Sequence, residues 1–116
     1  DELATADAVV FGLPIYFGRA NAPFLMMIDR LYAMIGTGLS TRLPAGKKFT
    51  VAITSGGGGL EIISPIYDSI VDIFGTYFHW ETCGLIWQNG MHEKNEIKKH
   101  ADKLSEAKAL GKSLVK

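Results

Sequence analysis

Hydrophobic residues alternate between two patterns along the chain, short unbroken runs and stripes at helical spacing. Residues 8–13, Ala-Val-Val-Phe-Gly-Leu, form an apolar run stopped by Pro14. Such a run suits a strand covered on both faces, as in a buried parallel sheet. Residues 14–18, Pro-Ile-Tyr-Phe-Gly, read as a loop leaving its C-terminal end. Asn21 is placed as an N-cap and Pro23 fits a first helical turn. Phe24, Ile28, Leu31 and Ile35 then recur at helical spacing, widened by Leu25 and Tyr32, until Gly36 ends the helix and a polar loop runs from 37 to 46. A second buried strand, residues 49–54, runs into Ser55-Gly56-Gly57-Gly58-Gly59. The next helix takes Pro65 in its first turn, aligns Ile62, Ile66, Ile70 and Ile73 with Phe74 beside them, and stops at Gly75. A third strand lies within 81–87 around Cys83-Gly84-Leu85-Ile86. A last helix over about 94–114 turns Ile97, Ala101, Leu104, Ala107 and Leu114 inward.

The order β-α-β-α-β-α implies parallel strands joined by right-handed crossovers, with helices on the sheet faces. Three parallel strands leave two open edges, and parallel sheets are normally larger and covered. Residues 1–7 read as the tail of a preceding helix or loop. The expectation is therefore a piece of a larger α/β domain, its remaining strands lying upstream or supplied by a partner chain.

Composition narrows the function classes. The 116 residues carry 12 basic and 12 acidic side chains, a formal net charge of zero. A dedicated nucleic-acid binder needs a concentrated excess of cations, so no nucleic-acid partner is expected. Residues 92–116 hold seven Lys against four acids, read as a solvated helix face. One cysteine, Cys83, forms no internal disulfide and cannot by itself ligate an iron–sulfur cluster or a structural zinc, so no metal is expected. No apolar run approaches the roughly 20 residues that span a bilayer, and the first residues lack a signal-peptide pattern. No membrane association and a reducing, cytoplasmic setting are expected. Glycine, at 13 residues, exceeds the roughly eight that average usage gives, and the excess falls in loops.

Ligands of open parallel sheets bind at the C-terminal ends of the strands. Two loops meet that edge. Tyr16 and Phe17 offer aromatic faces, and Gly18 removes a Cβ that would hold a flat ligand off the backbone. Ser55 to Gly59 expose consecutive N–H groups suited to electron-rich oxygens and nitrogens. Together they fit a flat, amide-like heterocycle; taken singly, each is as readily a plain turn or a flexible connection. The glycine run lacks the Lys-Ser/Thr of a phosphate-binding P-loop, and no G-x-G-x-x-G follows the first strand.

The run Ala6-Asp7-Ala8-Val9-Val10-Phe11-Gly12-Leu13-Pro14-Ile15-Tyr16-Phe17-Gly18, followed by Phe24-Leu25 and Ile28-Asp29-Arg30, resembles the flavin-binding segment of flavodoxin-like NAD(P)H-dependent FMN reductases and quinone reductases. Gly46-Lys47-Lys48, Thr54-Ser55-Gly56-Gly57-Gly58-Gly59-Leu60-Glu61 and Cys83-Gly84-Leu85 resemble the strands and glycine loop that follow in that family. The resemblance covers nearly all of the chain. It implies a flavodoxin-like three-layer sandwich in which residues 1–116 are a partial FMN-binding domain supplying strands three, four and five of a five-stranded parallel sheet. Pro14, Ile15, Tyr16, Phe17 and Gly18 would line the isoalloxazine and ribityl chain, and Thr54, Ser55, Gly56, Gly57 and Gly58 would bond or flank the flavin's polar edge. Asp29 and Arg30 would tie their helix to its neighbours. Leu13 stands where the family carries a small hydroxyl residue, and the phosphate loop of the family's first strand is not among these residues. The implied activity is hydride transfer from NAD(P)H through FMN to a quinone or similar acceptor, in a homo-oligomer (dimer or tetramer). No catalytic acid or base is nominated. His79 reads as a packed or surface residue, Cys83 as a small buried hydrophobe, and Tyr77, Phe78, Trp80 and Trp87 as packing residues. Two other readings stand beside this one: an inactive structural fragment that associates through an exposed strand edge at Val9 to Phe11, and a flavodoxin-type electron carrier.

Overall fold

The structure, a computed structural model, describes residues 2–115. A one-turn helix α1 (Glu2–Thr5) leads into strand β1 (Ala8–Tyr16), a two-residue strand β2 (Arg19–Ala20) and helix α2 (Ala22–Leu31). Strand β3 (Lys48–Ser55), helix α3 (Leu60–Asp72), strand β4 (Glu81–Gln88) and helix α4 (Ala101–Leu114) complete it. The four strands form one open, mostly parallel sheet in the order β2-β1-β3-β4. β1 and β3 run parallel in unbroken register from Ala8 opposite Lys48 to Ile15 opposite Ser55. β3 and β4 are parallel too, with one irregularity between Phe49 and Thr50 where Cys83 is the extra residue on β4.

Alternation along the strands sorts the faces. Phe11, Leu13 and Ile15 of β1 and Phe49, Val51 and Ile53 of β3 are buried on one face. Helices α2 and α3 cover that face, adding Phe24, Leu31, Ile63, Ile70 and Phe74. Phe74 is the hub of this core: its ring stacks on Phe11 (4.5 Å between centroids) and Trp80 (5.2 Å) and tilts against Phe49 and Phe78 (5.7 Å each). On the other face, Leu110 of α4 stands 3.4 Å from where a Cβ on Gly84 of β4 would lie. Thr50 is only 4% exposed there and donates to Gly84 O (2.6 Å). The same face of β1 carries no helix, and Val10 is 58% exposed. The N-terminal edge of the sheet is tied by Lys47, whose ammonium donates to Ala4 O (3.1 Å) and Ala6 O, and by Trp80 Nε1, which donates to Pro44 O (2.8 Å).

Several local expectations change. Residues 14–16 are strand rather than loop, because β1 continues to Tyr16 and turns back in a hairpin, pairing Tyr16 with Arg19 and Ile15 with Ala20. Pro14 is tolerated because β1 faces no partner on its outer side before Ile15. α2 ends at Leu31 and tightens into a 3₁₀ turn (Tyr32–Met34) before Gly36, since Ile35 turns extended to bridge Thr41. Asn21 occupies the N-cap position without making the side-chain bond. α3 starts directly after Gly59, so Pro65 sits in the second turn and removes the bond its N–H would have made to Glu61. Gly75 lies inside a π-helical turn (Ile73–Tyr77) that extends α3 instead of stopping it. Cys83 is half-buried in the bulge rather than fully buried.

The last helix begins at Ala101, after a 3₁₀ turn (Glu96–Lys99). Ala101, Leu104 and Ala107 are exposed, and Leu110 and Leu114 are half-buried; α4 packs on β4 and β3, with an open recess beside Leu104 and Ala107. Among the described residues no helix is long and apolar enough to cross a membrane.

Phe74→Ala removes the ring on which four other aromatics converge. A loss of about 3–5 kcal/mol is expected. It should appear as a lower urea midpoint at unchanged m-value.

Candidate functional site: the C-terminal rim of the sheet

Because β1 and β3 are parallel and in register to Ile15 and Ser55, the segments leaving them emerge side by side at one edge of the sheet. From β1 comes the hairpin. Its two turn residues, Phe17 and Gly18, both have positive φ (52° and 71°), as the I′ type of two-residue hairpin requires. Asn-Gly is the usual solution; a bulky aromatic in the left-handed region is a strained choice, typically by 1–3 kcal/mol. Phe17 is 97% exposed, so its strain is matched by no burial within the chain. Tyr16 beside it is exposed as well.

From β3 comes the glycine loop. Gly58 has φ 77°, and a Cβ there would stand 2.8 Å from Ile62 Cγ1. Ile62, in the first turn of α3, also lies 4.0 Å from the Cβ position of Gly18, so one side chain touches both segments. Gly57 has neither constraint: nothing lies within 4 Å of its Cβ position. The N–H groups of Gly57 and Gly58 have no hydrogen-bond partner among the described residues. Gly59 N–H donates to Glu61 Oε1 (2.8 Å). This bond, and a lesser one to the Glu61 backbone, hold the Glu61 carboxyl below its ordinary 4.5. A carboxylate in the first turn also meets the positive end of the helix dipole.

Ser55 is 4% exposed, and its hydroxyl is buried without a hydrogen-bond partner among the described residues. Buried hydroxyls are nearly always paired, so an orphan at the mouth of two loops points to a missing donor or acceptor.

The structure therefore brings together Tyr16, Phe17 and Gly18 with Ser55, Gly56, Gly57 and Gly58. It places other expected residues elsewhere. The Ile15 side chain belongs to the core, so only its backbone reaches the rim. Pro14 lies one step back in β1, opposite Thr54. Thr54 alternates with Ser55 to the other face, lining a 150 Å³ recess under α4 with Ile86, Gln88 and Leu104. His79 is exposed just before β4, at the opposite edge of the sheet, and Phe78 and Trp80 are core residues.

Residues 89–92, which follow β4, are the part of the site that the sequence pattern did not mark. Asn89 Nδ2 donates to Gly58 O (2.8 Å), Gly90 N–H to Gly56 O (2.9 Å) and Met91 N–H to Ser55 O (3.0 Å). The loop's carbonyls are thus taken up on the β4 side. These contacts join segments some thirty residues apart, and no local periodicity encodes them.

A larger groove of 720 Å³ lies away from this rim, where Met26, Met27 and Met34 meet Leu3, Leu31 and Leu43. It is mostly apolar and gathers few polar groups. Among the described residues no group of three or more His, Cys, Asp or Glu is placed to hold a metal ion.

Two outcomes test the local physics. Phe17→Asn relieves the left-handed strain and should stabilise the fold by about 1 kcal/mol in urea titration. Glu61→Gln should lower the thermal midpoint at neutral pH. The folded carboxyl titrates below its unfolded value, so the wild-type advantage exists above about 4.5 and disappears as pH falls through the depressed folded value.

Comparison with known proteins adds no relative: no family model matches the chain, and no curated protein matches it significantly.

Proposed function

We propose that the rim binds a flat, polar-edged heterocycle, the isoalloxazine ring of FMN, and that the chain is part of an FMN-dependent oxidoreductase passing hydride from NAD(P)H to a quinone or similar acceptor. The observation that carries this reading is the pairing of an exposed, strained aromatic hairpin with a glycine loop on the adjacent parallel strand, Ile62 touching both. A large apolar ring at a left-handed turn position, almost wholly in solvent, is unfavourable unless a ligand or partner covers it. The unpartnered N–H groups of Gly57 and Gly58 and the orphan Ser55 hydroxyl are hydrogen-bonding groups of the kind that an amide-like edge satisfies.

The residues present fit the ring. Tyr16 and Phe17 would cover one of its faces, and the absence of side chains from Gly56 to Gly58 would let its polar edge approach the backbone. When bound, the flavin supplies the hydride chemistry itself. The chain's contribution is to orient the ring, to hold donors at its edge and to exclude water from one face. No acid or base of this chain is assigned a proton-transfer role.

A second reading has its own support. Among the described residues nothing pairs with the outer edge of β1 from Ala8 to Pro14, and Val10 stands exposed on the face away from α2 and α3. An apolar edge without lysine or other blunting charge invites pairing. Association through it, as a dimer or tetramer, is compatible with a flavin at the rim, since the two occupy different edges.

Titration of FMN with the protein should quench flavin fluorescence. Tyr16→Ala and Gly57→Val should each weaken binding about tenfold. Gly57 has open space at its Cβ position, so valine there obstructs the mouth without disturbing the fold. Unchanged titration curves for both variants would remove the rim from consideration.

A further inference from the structure

The sheet order β2-β1-β3-β4 sets the glycine loop between two flanking segments, the aromatic hairpin on the β1 side and residues 89–92 on the β4 side. The three hydrogen bonds from Asn89, Gly90 and Met91 pin the second flank to the carbonyls of Ser55, Gly56 and Gly58. His92 is the next residue, and its imidazole lies on Gly56. A Cβ at Gly56 would stand 2.9 Å from His92 Cε1 and 3.2 Å from Nδ1, closer than a real side chain tolerates. Gly56 does not have positive φ, so what a side chain there would meet is this ring, which would have to swing aside.

Burial does not account for that contact, because His92 is exposed. Nor does hydrogen bonding, because neither ring nitrogen has a partner among the described residues. A donor–acceptor ring is thus laid against a loop in which the N–H groups of Gly57 and Gly58 are also unpartnered among the described residues. In a neutral imidazole one nitrogen donates and the other accepts, which matches the alternating N–H and C=O groups of an amide-like heterocyclic edge.

We infer that His92 is a binding residue of the rim, contributing a hydrogen bond to the polar edge of the planar ligand while the hairpin aromatics cover its face. This rests on the reading of the rim as a flavin site. It adds to that reading a third wall, from a segment outside both loops. The ring system alone is the target, so FMN and riboflavin should depend on His92 equally.

The test compares His92→Ala, His92→Phe and His92→Gln with the wild type by fluorescence titration of both FMN and riboflavin, with thermal midpoints recorded in parallel. Ala and Phe should each weaken both ligands about five- to tenfold, the size of effect one net hydrogen bond produces, while Gln stays within about twofold. Midpoints should remain within a few degrees of wild type. Gly56→Ala, which displaces the imidazole, should lose a similar factor, with little further loss when combined with His92→Ala. Wild-type affinity in His92→Phe would reduce the residue to packing and overturn the inference. A loss confined to FMN would place His92 at the phosphate and also overturn it. If the wild type quenches neither ligand, the flavin reading falls and takes this inference with it; if the wild type quenches and His92→Ala quenches equally, only the inference falls.

Discussion

The register of β1 against β3 is the constraint from which the rest follows. Eight consecutive residue pairs, Ala8 with Lys48 through Ile15 with Ser55, lock two parallel strands so that they end level. A slip by one residue would turn Phe11, Leu13 and Ile15 out of the core and separate the hairpin from the glycine loop by a step. The register is itself enforced at two points. At the start, Lys47 binds the carbonyls that lead into β1, and in the middle Phe11 and Phe49 meet under Phe74. The geometry of the rim is therefore a consequence of core packing and does not depend on either loop holding itself in place.

Much of this was legible in the residues, and the reason is periodicity. Buried parallel strands make runs such as Ala8 to Leu13 and Phe49 to Thr54, and α2 and α3 make stripes; both patterns are local. The parallel arrangement then follows from alternation, and with it the meeting of Tyr16 to Gly18 with Ser55 to Gly58 at one edge. What was not legible is whatever a local pattern cannot carry. Pro14 reads as a stop because proline lacks an N–H, yet on a strand whose outer side is open the missing donor matters little. Gly75 reads as a helix end because glycine usually is one, yet here Phe74 must enter the core and the chain widens into a π turn around it. Residues 89–92 carry no motif at all; their place beside the glycine loop comes from β4 running parallel to β3 and ending level with it. Leu104 and Ala107 follow helical spacing and do face the sheet, but α4 leaves a recess between them and Thr54 and Ile86, so they stay exposed.

The two open features of β1, its outer edge and its bare face, have one origin. β3 is flanked by strands on both sides and covered by helices on both faces, whereas β1 has α2 and α3 on one face and only the two residues of β2 on its outer side. Gly12 and Val10 on the bare face offer neither charge nor bulk against another sheet or helix. Exposed apolar side chains also occur on other elements, Leu25 and Met26 of α2 and Leu104 of α4 among them, so what sets β1 apart is its open backbone edge rather than a concentration of apolar surface.

Hydrogen-bonding groups are satisfied to different degrees at the two edges of the sheet. At the N-terminal edge, Trp80 and Lys47 spend their donors on backbone carbonyls, so the polar groups there are satisfied. At the C-terminal edge, a phenylalanine is held left-handed in solvent, and among the described residues a buried serine hydroxyl, two glycine N–H groups and an imidazole have no hydrogen-bond partner. Any one of these is tolerable as an accident of sequence. They share one rim, although left-handed non-glycine residues occur elsewhere too, at Leu39, His79 and Asn95, and Asn21 Oδ1 is a second buried polar atom without a partner among the described residues; it is their proximity, on the proposed reading, that a ligand would turn to use. The opposite requirements of folding and recognition meet most directly at Phe17. Asparagine would suit the turn better, and the proposed ring over Phe17 would give phenylalanine a use there that the turn itself does not.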